Sequence, residues 1–142
     1  MNLKKTIEAI SREAINEKLI NYAAAGNDVY SLNGQNIDAY PVLFTCPAGI
    51  HTVKENTTIY SLTLFFIDRL LEDRSNDIDI YSNSIEVLKN LILKIGNIEG
   101  ILGVEDGYTI QNFETDEKMN DRCGGSFASI RVITSNSFCP EE

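Results

Sequence analysis

Few residues in this chain have the types and spacing that chemistry requires. The single histidine, His51, lies between Ile50 and Thr52, and any Ser/Cys–His–acid machinery would have to be built on it. A nucleophile site needs a base and an orienting group placed together. An isolated histidine at a turn or strand edge is more often a surface residue, and His51 is read that way. The three cysteines, Cys46, Cys123 and Cys139, cannot all pair within one chain. A Cys3His zinc site using His51 would lack the closely spaced ligand pairs of structural zinc. The cysteines are therefore expected to stay reduced, with Cys46 and Cys123 acting as small apolar residues. Asp73, Asp77 and Asp79 could offer oxygens to a hard cation, but their loop lacks the glycine and terminal glutamate of a calcium loop. The glycines of segment 96–107 show no GK[ST] and follow no strand directly, and no HExxH, GxSxG or dinucleotide fingerprint occurs. The reading is no catalytic residue, no cofactor and no metal: a non-enzymatic protein.

What remains is charge. Twelve Lys+Arg against 21 Asp+Glu give a formal charge of −9, which repels phosphate and argues against sequence-independent nucleic-acid binding. The acids cluster as Glu72, Asp73, Asp77 and Asp79 and again as Glu114, Asp116, Glu117 and Asp121. Solubility alone accounts for most such clusters. Two functional readings compete with it: an interface for a basic partner, as in an inhibitor or immunity-type protein, or an acidic wall along a DNA passage. No apolar run reaches the roughly 20 residues of a membrane helix, and a charged amphipathic segment follows Met1–Thr6 where a signal-peptide core would stand. Synthesis and retention in the cytoplasm are expected.

The positioning elements follow from periodicity. Leu3, Ile7, Ile10 and Ala14 share a helical face, and Ile15, Leu19 and Tyr22 continue it with a drift, predicting a helix from Leu3 to Ala25 closed by Gly26. Asn33-Gly34 is a hairpin signal after Val29–Leu32. Tyr40–Cys46 and Thr58–Ile67 read as strands, and 68–79 as a charged loop. A second helix begins at Ser82 or Asn83, with Glu86 in capping-box register, and ends at Gly96. Segment 96–107 reads as a glycine-rich connector. Tyr108–Thr115 and Ser126–Thr134 form a closing hairpin. The expected fold is α+β: an antiparallel sheet of about four strands flanked by two helices in the order α-β-β-α-β-β, one domain over 1–134 and a tail over 135–142. Its core should hold Ile7, Ile10, Val42, Phe44, Leu62, Leu64, Phe66, Leu88, Leu91, Ile92, Ile95, Ile130 and Val132.

The layout is similar to that of a known family. An N-terminal helix leads to Tyr40-Pro41-Val42-Leu43-Phe44 and then to the long Tyr60–Asp68 stretch. A charged loop and an amphipathic helix follow, and a hairpin carries Asp121-Arg122-Cys123-Gly124-Gly125-Ser126-Phe127 into the last strand. From about Leu3 to Thr134 this resembles the tail terminator, or tail completion, proteins of bacteriophages and prophages. The resemblance implies a virion structural protein made in the bacterial cytoplasm. The resemblance further implies that copies form a ring, of six or twelve, against the tail tube or a neighbouring connector, with DNA passing through without specific binding. Such a ring needs one patch to meet a different patch on the next copy. The segments singled out are the connector, with Ile98, Ile101, Leu102 and Val104 lacking an obvious partner within the chain, and the 68–79 loop, with Arg69, Arg74, Asp73 and Asp77.

Overall fold

Alternation dictates the centre of the molecule. In the computed structural model, which describes residues 1–28, 32, 39–47, 49–71, 73–115 and 122–137, two 13-residue strands lie side by side. In chain order the elements are α1 (Leu3–Asn16), β1 (Tyr22–Ala25), β2 (Val42–Pro47), β3 (Thr52–Val53), β4 (Thr57–Arg69), α2 (Asp77–Ile95), β5 (Ile101–Val104), β6 (Ile110–Glu114) and β7 (Cys123–Ser135). β4 and β7 pair antiparallel along their whole length, from Thr57 opposite Ser135 to Arg69 opposite Cys123. Around that ladder the strand order is β1-β2-β4-β7-β5, with β3 on β4 and β6 on β7.

This corrects the expected four-stranded antiparallel sheet. The described residues form seven strands, and β1 runs parallel to β2. Each extra strand has a local cause. The first helix stops at Asn16, because Lys18 takes φ 59 and turns the chain. Tyr22–Ala25 then joins β2, with the amide of Asn21 donating to the Pro41 carbonyl at 2.9 Å and its side chain to Tyr40 O at 2.7 Å. Strand pairing overrides the helical preference of the three alanines. β3 is only two residues, held against Thr58 and Ile59. β5 forms inside the glycine segment, opposite Val132–Thr134. The long loop is also shorter than read: β4 continues to Arg69, and α2 begins at Asp77, where Asp77 and Asp79 favour the positive helix end. Asn76 precedes that helix without a side-chain cap, since its side-chain Oδ1 accepts from the Leu71 amide at 2.9 Å. The Asn33-Gly34 turn and the 116–121 hairpin loop lie outside the described residues, as does residue 48.

The core has two compartments, one on each face of the sheet. Under α1 and α2 lie Ile10, Leu43, Leu62, Leu64, Phe66, Leu88, Leu91, Ile92, Ile95, Ile130 and Val132. On the opposite face Leu32, Val42, Phe44, Cys46, Ile67 and Cys123 form a smaller cluster. Val42 and Phe44 are therefore buried as expected but away from the helices, and Ile7 is only partly buried. The second face continues into a half-buried trio of rings, with Phe65 5.3 Å from Phe127 and 5.5 Å from Phe113 between centroids. Close approach at the top of the ladder depends on two glycines. A Cβ on Gly125 would stand 2.0 Å from the Phe66 carbonyl oxygen, and one on Gly124 would stand 2.9 Å from Phe113 O. Only hydrogen fits there.

Candidate assembly surface

The apolar residues of the glycine segment do not behave alike. Ile101 is 6% exposed and belongs to the helix-side core, and Ile98 and Val104 pack against that core. Three of the four thus find partners within the chain. Leu102 does not: it is 62% exposed, at the position where β5 shifts register between Ile101 and Gly103. Two residues of β5 there span one step of β7, and the bulge turns Leu102 out of the core. Both β5 and β6 pair only with β7, so their outer backbone edge is open among the described residues. Glu99, Glu105 and Asp106 stand around β5, all exposed. Glu105 holds Arg131 at 3.0 Å, whose other nitrogens reach Ser61 and Thr52. On α2, Leu93 adds a second exposed leucine.

The charged loop forms a different kind of site. Arg74, held at φ 62, lies 3.5 Å from both Asp77 and Glu114. Arg122 completes the group. It donates to Glu114 at 2.9 Å, to Asp77 at 3.2 Å and to the Leu71 carbonyl. Desolvation works against the Arg122 charge, yet its hydrogen bonds to Asp77 and Glu114 hold its pKa above the ordinary guanidinium value. Tyr81 is pushed up by desolvation and by Glu114 and Asp77. Arg74 and Asp77, expected at an interface, are thus tied within the chain. Asp73 is fully exposed, and the amide and hydroxyl of Ser75 lower its pKa. Arg69 places its guanidinium 5.1 Å over the Tyr40 ring.

The structure does not bring the two candidate patches together. Ile101 lies opposite Thr134 and Arg122 directly precedes Cys123. The eleven residues between them on β7 span about 36 Å at ~3.3 Å per residue. Sequence reading missed Arg122, the residue that organises the loop. Its only signal was a cation directly before the Cys123-Gly124-Gly125 run.

Other side chains with chemical potential are engaged in packing. His51 Nδ1 accepts the Ser61 amide at 3.1 Å, and its ring meets Tyr60 edge-on at 5.5 Å. Cys46 faces Thr63 and Cys123 faces Arg69 across the ladders, six residues apart along β4 and out of disulfide reach. Burial, helped by Asp28, pushes the Cys46 thiol up to about 11. A buried hydroxyl pair, Ser84 and Ser126 at 2.6 Å, pins α2 to β7 and reaches Asn112 at 2.7 Å. Among the described residues, no group of three or more His, Cys, Asp or Glu could hold a metal ion, and no helix is long and apolar enough to cross a membrane. The geometry therefore defines a mixed sheet with an open acidic edge on which Leu102 is exposed. No protein-family model matches the chain, and no curated protein matches it.

Proposed function

We propose that this chain is a non-enzymatic assembly subunit that joins copies of itself into a ring, as a tail terminator or head–tail connector of a phage or prophage. The observation that carries the reading is the open β5–β6 edge with Leu102 outside the fold. An exposed leucine on an edge strand is a liability unless a neighbour covers it. The element layout that resembles tail terminators adds to this. The acidic surface suits a subunit beside passing DNA, since like charge keeps the polymer from sticking.

The test is light scattering over a concentration series, with a tail-assembly assay, on the wild type and on Leu102→Asp. Rings in the wild type, lost in a variant that keeps its fold, are the expected result. A monomer that captures one basic protein, unaffected by Leu102→Asp, would overturn the ring reading in favour of an inhibitor-type binding domain.

A further inference from the structure

A closed ring needs a second, different patch to receive the β5 flank, and the charges indicate where it is. Among the described cations, Lys5, Arg74, Lys89, Lys94, Arg122 and Arg131 are each paired with an acid of the same chain. Lys4, Arg12, Lys18 and Lys54 make no ion pair there. Three of those four lie on α1 or just past its end. Arg12, Ile15 and Lys18 are all exposed, and Ile15 leaves 47% of its surface to solvent. On α1 the buried side is Thr6, Ile10 and Ala14, so Arg12 and Ile15 face away from the sheet, one turn apart.

α1 packs on α2 as well as on β1 and β2, and the two strands it covers lie at the end of the strand order opposite β5. Each patch carries an exposed aliphatic side chain next to charges that form no ion pair among the described residues: Ile15 next to Arg12 and Lys18, and Leu102 next to Glu99 and Asp106. Of the acids on and just past α1, Glu8 and Glu17 are paired with Lys5 and Lys94, and Glu13 is half-buried. Neither Glu99 nor Asp106 has a cation partner among the described residues, so both remain open to charges from outside the chain. An ion pair at such a rim mainly steers and selects the partner, while the covered leucine and isoleucine supply the burial.

We infer that the outer face of α1, through Arg12, Ile15 and Lys18, is the docking surface for the Glu99–Leu102–Asp106 flank of a second copy, joined head to tail. The inference rests on the ring reading and specifies its interface. Because the two patches differ, the contact does not close on a pair and repeats from copy to copy.

The experiment reverses charge on each side separately. One variant carries Arg12→Glu with Lys18→Glu, and the other carries Glu99→Lys with Asp106→Lys. Each alone presents like charges at every junction, so each should need at least ten times the wild-type concentration to assemble. Mixed one to one they should assemble again, alternating along the ring. Circular dichroism checks the fold, and the milder Arg12→Gln and Asp106→Asn should weaken assembly in the same direction if a double variant unfolds. Assembly of either folded double variant alone as readily as the wild type, or no recovery on mixing, overturns this inference and leaves the ring reading standing. A wild type that stays monomeric at every concentration overturns both.

Discussion

The two ends of β7 solve opposite problems. At the Cys123 end, charge is paired within the chain: Arg122 and Arg74 meet Asp77 and Glu114, and two glycines let three strands close up. At the Thr134 end, the β5 strand is bulged, its acids are largely unmatched and Leu102 points outward. From residue types alone both ends look like surfaces awaiting a partner. The difference shows that a charged segment already satisfied within the chain is architecture, and that candidates for contact are the groups left over.

The strongest way to break this comparison is at the closed end. Gly125→Ala should cost more than about 3 kcal/mol, beyond ordinary overpacking, because backbone and not a flexible side chain blocks the methyl. Chemical denaturation measures it, and a loss under about 1 kcal/mol would show that the strands are not so close. Next come the adjacent residues of β5. Ile101→Ala should cost roughly 2–5 kcal/mol, as should Leu64→Ala and Leu91→Ala, whereas Leu102→Ala should stay within about 0.5 kcal/mol. Equal losses at Ile101 and Leu102 would erase the distinction between core and surface on that strand.

Arg122→Gln should lower the melting temperature, and the deficit should shrink in high salt as the surrounding ion pairs are screened. A salt-independent deficit would mean that packing, not charge, holds the loop. Asp68 gives a smaller and oppositely signed effect. Burial raises its pKa above 3.8 despite the Arg69 amide, so the folded state holds the proton more tightly. Its contribution is greatest below the ordinary carboxylate value and is lost as pH rises through the raised one. Asp68→Asn should remove that slope and slightly stabilise the protein near neutral pH, read as melting temperature against pH. The smallest effect is kinetic: with Cys139→Ser in place, thiol reagents at neutral pH should label neither Cys46 nor Cys123 until denaturant is added, since both are buried.

Sequence reading succeeded where a segment's own pattern decides its structure. Tyr60, Leu62, Leu64 and Phe66 alternate, and Leu88, Leu91, Ile92 and Ile95 recur at helical spacing, so β4 and α2 were recognisable, as were β2 and β7. It failed where a neighbour decides. Tyr22–Ala25 is a strand because β2 lies beside it, Ile101–Val104 because β7 does, and Thr52–Val53 is too short to show a period. The failure at Ile101 has the same origin, since only the β7 register shows that its side chain turns inward. By periodicity, the drift of Ile15 off the apolar stripe is part of a helix running on to Ala25, whereas α1 ends one residue later, at Asn16. The ion group was half legible, with Arg74 and Asp77 close in sequence and Glu114 and Arg122 reaching them only through the fold.

The β4–β7 ladder also has a mechanical consequence. Tension along these strands loads all thirteen pairs in shear, so many hydrogen bonds must fail together. Tension across the sheet meets β5 first, which holds β7 over only four residues and a bulge. A pull along the strand axis is therefore borne by the stiffest part of the molecule, and a pull sideways peels it from the edge.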